Sequence, residues 1–196
     1  MAIRKLIEFF STFPKLPIYA TDVRDRLVMS GVQDEIIMTP IDSDPDVLRG
    51  MYKQYIRRSA VYADPIFVSE IFYTQNQCIK WQNFVCVKEL VHILDQPAVK
   101  TFKRRDVLAL TDGVSKSLAS LDLGVEDFKA KYDKLISYVA LAILLPLQSR
   151  SELLEPYAIG RISAEQISDE TQIPIKYIPM LMDPDWDDIH AMILQL

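Results

Sequence analysis

The spacing of apolar residues predicts helices at the start of the chain. An amphipathic segment opens the sequence, and Pro14 and Pro17 are expected to end this first helix. A second helix is predicted to begin at Thr21 or Asp22, and Gly31 is expected to stop it, because glycine favours the residue just past a helix end. The beginning of the chain is therefore predicted to be helical.

A third helix is predicted to start at Asp44-Pro45. Aspartate suits the N-cap position, and proline suits the first helical position because its missing N–H is not needed there. Val47, Met51 and Tyr55 follow at four-residue spacing. This spacing predicts an apolar stripe that faces the core.

The middle of the chain contains a strand candidate and two candidates for long helices. Residues 66–73 (IFVSEIFY) are β-branched and aromatic, which is typical of a strand, and Tyr62 with its neighbours is a candidate for a second one. The segment Trp81–Asp95 is apolar nearly all round, which predicts a helix that is buried on most sides. A long helix is predicted over Val125–Leu145, with Pro146 ending it.

Two short helices are predicted near the end of the chain. Ser163 and Gln166 fit a capping box, and Pro174 fits the first turn of a helix over Ile175–Met182. The pair superficially resembles a helix-turn-helix motif. Its second helix offers only Lys176 for contacts to phosphates, so a packing role is predicted.

These elements predict an α+β fold that is mainly helical, with a small sheet and a helical C-terminal part. Residues 1–150 are expected to form the main domain, and residues 151–196 a small acidic helical segment packed on it. The first range carries 20 Lys and Arg against 18 Asp and Glu, whereas the second carries 2 against 9.

Composition narrows the class of protein. Hydrophobic residues make up 49% of the chain and charged residues 25%, which is the balance of a globular protein. Cys78 and Cys86 are too few for a disulfide framework, which favours the cytoplasm. The apolar run 135–147 is shorter than the roughly 20 residues that span a bilayer, so no membrane association is expected. The net charge of −5 argues against direct nucleic-acid binding, although residues 100–105 form a predicted basic loop.

One predicted helix carries ionisable groups on an otherwise apolar segment. Lys88 and His92 lie four residues apart and share a face, with Glu89 and Asp95 close by. Burying an unpaired charge is costly, so these groups need a metal, a salt-bridged cluster or a solvent-filled cleft. Residues 88–92 (KELVH) have the spacing of H-E-x-x-H, in which two histidines bind zinc and the glutamate activates a water. Lysine replaces the first histidine.

The segment 84–94 (FVCVKELVHIL) resembles the active-site signature R-F-x-x-A-H-E-x-x-H of the ImmA/IrrE metallopeptidase family. Residues 133–146 (DKLISYVALAILLP) resemble a later helix of that family, E-x-x-A-N-x-F-A-x-x-L-L-M-P, with Asp133 at the position of the third zinc ligand. The order and separation of the two motifs carry the resemblance.

The resemblance implies a reduced zincin-like arrangement, with His92 and Asp133 as zinc ligands and Glu89 as the general base. Characterised relatives cleave or regulate helix-turn-helix repressors in phage, mobile-element or stress circuits, so a repressor-like protein is the implied partner. Lys88 departs from the pattern, because an ammonium has no lone pair for zinc and repels a dication. Asp133 is one methylene shorter than the expected glutamate. Zinc binding is therefore expected to be weak or lost, and Glu89 to be a vestigial base.

Two interpretations of Lys88 remain open in the sequence. Its ammonium could act as a charge surrogate for the metal between the nearby carboxylates, or its long stem could carry the charge out to solvent. Three functions are consistent with the motif. The first is a catalytically impaired peptidase relative that regulates a protein by binding it. The second is an active metallopeptidase with an altered metal site, and the third is an interaction or immunity module with a vestigial site.

Overall fold

The computed structural model describes residues 2–58, 64–95 and 125–196, with side chains in the last range from residue 131 onward. Within these ranges the protein is mainly helical with one three-stranded sheet, which confirms the predicted α+β class. The α-helices are Ala2–Ser11 (α1), Ala20–Met29 (α2), Ile79–Val91 (α3), Val125–Leu144 (α4), Leu147–Ala158 (α5), Ala164–Thr171 (α6), Ile178–Met182 (α7) and Trp186–Ile193 (α8). The strands are Glu35–Ile41 (β1), Gly50–Arg57 (β2) and Ile66–Thr74 (β3), and short 3₁₀ helices occupy His92–Leu94 and Ile175–Tyr177.

The sheet has the order β1-β3-β2, with β3 in the centre. β3 pairs in parallel with β1, where Met38 lies opposite Ile71, and antiparallel with β2, where Tyr52 lies opposite the same residue. Side chains alternate between the two faces of a strand, so residues directly opposite each other share a face. Ile71 is fully buried and belongs to the main core, against which Met38 and Tyr52 also pack. This inner face of the sheet is therefore the one that α3 covers.

α3 and α4 form the centre of the core. Val87, Leu90 and Val91 of α3 are fully buried, and so are Ile136 and Val139 of α4. α3 packs both on α4 and on strands β2 and β3, which places it between the second long helix and the sheet. Any polar side chain at the contact between α3 and α4 is consequently shielded from water.

β2 approaches α3 closely at Gly50. A Cβ atom at this position would lie 2.1 Å from Cγ1 of Val85 and 3.0 Å from the carbonyl oxygen of Phe72. Since real Cβ atoms do not approach neighbours so closely, only glycine allows the start of β2 to lie against α3. This contact is one helical turn before Glu89.

The third helix predicted to start at Asp44 is wrong. The N–H groups of Val47 and Leu48 both donate to the carbonyl of Asp44, but this single turn is not continued and the chain enters β2. Val47 is 70% exposed rather than buried in the core. Met51 and Tyr55 fit the period of a strand as well as that of a helix, and pairing with β3 selects the strand.

Sequence reasoning also missed β1, α5 and α8. Pro40 lies within β1, where a proline argues against a strand, but β1 is an edge strand and edge strands tolerate proline. Pro156 lies within α5, and a proline argues against a helix interior as well. The domain division predicted at residue 150 also falls inside this helix. The candidate strand at Tyr62 and the basic segment 100–105 lie outside the described residues.

Other predictions are confirmed. β3 contains the whole predicted strand, and α4 matches the predicted long helix to within one residue. The Ser163 hydroxyl accepts from the N–H of Gln166 at 3.3 Å, and the Gln166 side chain accepts from the N–H of Ser163 at 2.8 Å, which is the predicted capping box. The helix predicted over Ile175–Met182 is divided between a 3₁₀ helix and α7.

The C-terminal helices pack on the rest of the protein. The ring of Tyr177 lies 4.7 Å from that of Phe84 on α3, and Nζ of Lys80 lies 2.5 Å from a carboxylate oxygen of Asp169. Trp186 of α8 is fully buried beside α4. The segment that superficially resembles a helix-turn-helix motif therefore has packing contacts, as predicted. None of the helices in the described residues combines the length and apolar character that crossing a membrane requires.

Candidate functional site

The ionisable side chains of the two sequence motifs meet between α3 and α4. Lys88 and Glu89 lie in the last turns of α3, and His92 opens the 3₁₀ helix that follows. Asp133 lies on α4 and reaches both Lys88 and His92. The two helices pack through their apolar faces, which holds these polar groups together at the edge of the contact. Lys88, His92 and Asp133, which come from two separate sequence motifs, therefore lie together in the structure.

Lys88 is held between two carboxylates. Its Nζ atom lies 2.8 Å from Oδ1 and 3.0 Å from Oδ2 of Asp133, and 3.2 Å from Oε1 of Glu89. The side chains of Lys88, Asp133 and Glu89 are 17%, 14% and 7% exposed. Lys88 thus does not extend to solvent, and its contacts offset the cost of removing three charges from water.

His92 joins Asp133 to a further carboxylate. Its Nε2 atom lies 3.3 Å from Oδ1 of Asp133, and its Nδ1 atom lies 2.5 Å from Oδ2 of Asp95. The hydroxyl of Tyr132 donates to the other oxygen of Asp95 at 3.0 Å. The contacts form a continuous polar network that runs from Lys88 through Asp133, His92 and Asp95 to Tyr132.

The network shifts the pKa values of its members. Burial disfavours the charged form of His92, but its hydrogen bonds with Asp133 and Asp95 and the charge of Glu89 outweigh burial and raise its pKa to about 9. Burial also disfavours the charged forms of Lys88 and Asp133. Their mutual attraction is stronger, so it raises the pKa of Lys88 and lowers the pKa of Asp133. At neutral pH the Lys88–Asp133 pair is ionised, and the His92 ring is protonated on both nitrogens and positively charged.

These residues do not fit the zinc ion that the family resemblance implies. Zinc in proteins is held by lone pairs from thiolates, carboxylates or neutral imidazoles. Protonated Lys88 has no lone pair to offer, and both ring nitrogens of His92 already face carboxylates. Within residues 2–58, 64–95 and 125–196, no group of three or more His, Cys, Asp and Glu side chains is arranged to hold a metal ion. The residues present build a salt-bridged network rather than a set of zinc ligands.

Two members of the network, Asp95 and Tyr132, are not among the predicted site residues. The signal for Asp95 is its place near His92 on a polar stripe of an apolar helix. Tyr132 gives no such signal, because its spacing to Leu135 and Val139 is that of an apolar core face. Only the packing of α4 on α3 shows that its hydroxyl reaches Asp95.

A second polar group lies on the inner face of the sheet. The Ser69 hydroxyl and the Gln54 side chain each donate to Oδ2 of Asp34 at 2.6 Å, and the Tyr52 hydroxyl lies 3.3 Å from Oγ of Ser69. Burial raises the pKa of Tyr52 to about 12 despite the Ser69 hydrogen bond, and the charges of Asp34 and Asp95 act in the same direction as burial. Tyr52 therefore lies within electrostatic reach of both polar groups.

No family model, curated protein or solved structure matches this chain. The resemblance to the ImmA/IrrE family therefore rests on the two sequence motifs alone.

Proposed function

We propose that this protein is a catalytically impaired relative of the ImmA/IrrE metallopeptidases that regulates another protein by binding it. The observation that supports the proposal most directly is the ammonium of Lys88, 2.8 Å from Asp133 and 3.2 Å from Glu89. The intact H-E-x-x-H motif has a zinc-binding histidine at this position. Here the chain supplies a positive charge of its own.

The Lys88 charge explains how the site can be stable without a metal. In a shielded cleft without a cation, Glu89 and Asp133 would repel each other, and one of them would be driven towards its neutral form. The ammonium removes this repulsion by contacting both carboxylates. Glu89 is then engaged in a salt bridge and has no metal-bound water to deprotonate. Hydrolysis by the metallopeptidase route is consequently not expected.

The partner that we propose is a helix-turn-helix repressor of a phage or mobile-element circuit, as the family resemblance implies. Both cysteines are free, with Cys78 exposed and Cys86 buried. Free cysteines are compatible with the proposed cytoplasmic location, where such a repressor acts. Binding of this protein to the repressor, rather than cleavage of the repressor, would then change the activity of the repressor.

This proposal is tested with a helix-turn-helix repressor, chosen where one is encoded near the gene for this protein. Purified repressor is mixed with the tag-free protein, and binding is measured by calorimetry. The mass of the repressor is then measured by mass spectrometry, with and without added zinc, to detect cleavage. We expect binding and an intact repressor under both conditions.

Two other outcomes would count against the proposal. Zinc-dependent cleavage that is lost in Glu89→Gln would indicate an active metallopeptidase with an altered metal site. Absence of binding would reject the repressor as the partner and favour an interaction or immunity module with a vestigial site.

A further inference from the structure

Trp81 on α3 lies against two cationic side chains from different parts of the chain. The guanidinium carbon of Arg49 is 4.2 Å from the centroid of the Trp81 ring, and Nζ of Lys176 is 4.4 Å from it. The same Nζ atom is 4.6 Å from the centroid of the Tyr177 ring. Cation–π attraction therefore gathers two positive charges on a single aromatic group.

The side chains that the structure describes neutralise these two charges poorly. Lys176 forms no ion pair with a carboxylate in the described part of the chain, and the carboxylate partner of Arg49, Asp46, lies 3.6 Å away with 88% of its side chain exposed. Partial removal from water lowers the pKa of Lys176, and the neighbouring charge of Arg49 lowers it further. An additional anion at this position would relieve the repulsion between the two cations.

Two exposed apolar side chains lie close in sequence to Trp81 and to Lys176. Ile79, in the first turn of α3, is 63% exposed, and Ile175, next to Lys176, is 44% exposed. Together with Arg49, Trp81, Lys176 and Tyr177 they define what we call the Trp81 surface. Tryptophan, tyrosine and arginine are the residues that most often carry the binding energy of protein interfaces.

We propose that the Trp81 surface binds a short acidic segment of a protein partner, with its carboxylates between Arg49 and Lys176. The inference rests on the proposed function for the existence of a protein partner, and it adds the chemistry of the segment that is recognised. Charged hydrogen bonds from guanidinium and ammonium groups to carboxylates are stronger than neutral ones. The exposed isoleucines would contact apolar side chains that flank the acidic ones.

The net charge of the protein favours a short acidic segment over a long polyanion. The whole chain carries −5, so its net charge disfavours the binding of a nucleic acid or an anionic membrane. A segment of a few residues, in contrast, lies within the reach of Arg49 and Lys176. Because charges on exposed surfaces are screened beyond about 8–10 Å in physiological salt, the distant acidic residues oppose it little.

The test measures binding of a dye-labelled hexaglutamate peptide by fluorescence anisotropy, with hexaglutamine as the neutral control. We expect saturable binding of hexaglutamate only, weakened at least about tenfold in the double variant Arg49→Gln/Lys176→Gln, which corresponds to about 1.4 kcal/mol. The double variant Arg4→Gln/Lys5→Gln removes the same charge from exposed positions of α1 and should bind as the wild type does. The single variant Lys176→Gln, at an exposed position, should bind more weakly, and its loss of stability should not exceed the small contribution of an exposed cation–π contact.

Three results would overturn the inference: no binding of hexaglutamate, equal binding by the Arg49→Gln/Lys176→Gln variant, or tighter binding of a six-nucleotide RNA or of inorganic phosphate. The assay contains neither zinc nor repressor, so its failure would leave the proposed function standing. Conversely, zinc-dependent cleavage of a repressor would reject the proposed function without affecting a positive hexaglutamate result.

Discussion

The ammonium of Lys88 contacts both carboxylate oxygens of Asp133, at 2.8 and 3.0 Å, and so joins two helices across 45 residues of sequence. The contact lies at the point where α3 and α4 pack, and both side chains are mostly withdrawn from water. Removing only one partner of a charge pair in this environment strongly destabilises a protein.

Replacing Lys88 by methionine is therefore expected to destabilise the fold. Lys88→Met leaves Asp133 and Glu89 buried without their cation, which should lower the free energy of unfolding by about 3 kcal/mol or more. Lys5→Met is the matched control, since Lys5 is exposed on a helix and methionine has a similar helix propensity. Denaturant unfolding measures both. A loss of under about 1 kcal/mol for Lys88→Met would mean that the pair carries little energy.

A double-mutant cycle separates the Lys88–Asp133 interaction from other effects of substitution. Lys88→Met, Asp133→Asn and the double variant should give a coupling free energy of about 1 kcal/mol or more, because each single change removes the shortest salt bridge of a buried charge. The exposed pair Arg4–Glu8 serves as the control, and its coupling should stay below about 0.5 kcal/mol. Equal coupling energies for the two pairs would contradict the buried network.

The two histidines should titrate on opposite sides of the ordinary pKa of 6.5. His92 has its pKa raised to about 9, whereas burial lowers the pKa of His190. NMR spectra should therefore show one imidazole signal that titrates near pH 9 and one below pH 6.5, with His190→Gln assigning them. A midpoint for His92 at or below 6.5 would show that its carboxylate contacts are not formed.

These shifts also fix the direction in which stability depends on pH. The raised pKa of His92 gives stability that is complete below about pH 6.5 and is lost as the pH rises through about 9. The lowered pKa of Asp133 gives stability that is present above its ordinary pKa and is lost as the pH falls below it. Unfolding midpoints of the wild type should consequently fall between pH 6.5 and 9, and His92→Gln should show a smaller fall.

A methyl group at Gly50 should disturb the contact between β2 and α3. Gly50→Ala places a Cβ atom 2.1 Å from Cγ1 of Val85, and overpacking of this kind costs about 1–3 kcal/mol. Val85→Ala removes the obstructing methyl, so the double variant should be more stable than the two single losses predict together. Strictly additive losses, measured by denaturant unfolding, would argue against the close approach.

Local sequence signals were sufficient to predict an element where the apolar pattern of a segment fits the period of only one type of secondary structure. The β-branched and aromatic run at 66–73 becomes the central strand, and the segment with one apolar face that begins at Val125 becomes α4. Residues 47–55 satisfy both a helical and a strand pattern, and the choice depends on pairing with β3, which lies more than ten residues further along the chain. Pro40 concealed β1 because its tolerance depends on the edge position of that strand.

The candidate site was predictable only in part for a similar reason. Lys88, Glu89 and His92 stand out because charges on an apolar helix need partners, and Asp133 follows from the second motif. The role of Asp95 as a partner of both His92 and Tyr132 depends on how two distant helices pack. Such contacts leave no periodic trace in the sequence.

The central claim is that the positive charge of Lys88 takes the place of a metal ion, and zinc content tests it most directly. Tag-free wild-type protein and the Lys88→His variant are equilibrated with zinc, passed through a desalting column and submitted to elemental analysis. The account predicts well under one zinc per wild-type chain, and a higher content in Lys88→His, which restores the H-E-x-x-H pattern. About one tightly held zinc per wild-type chain would contradict the account.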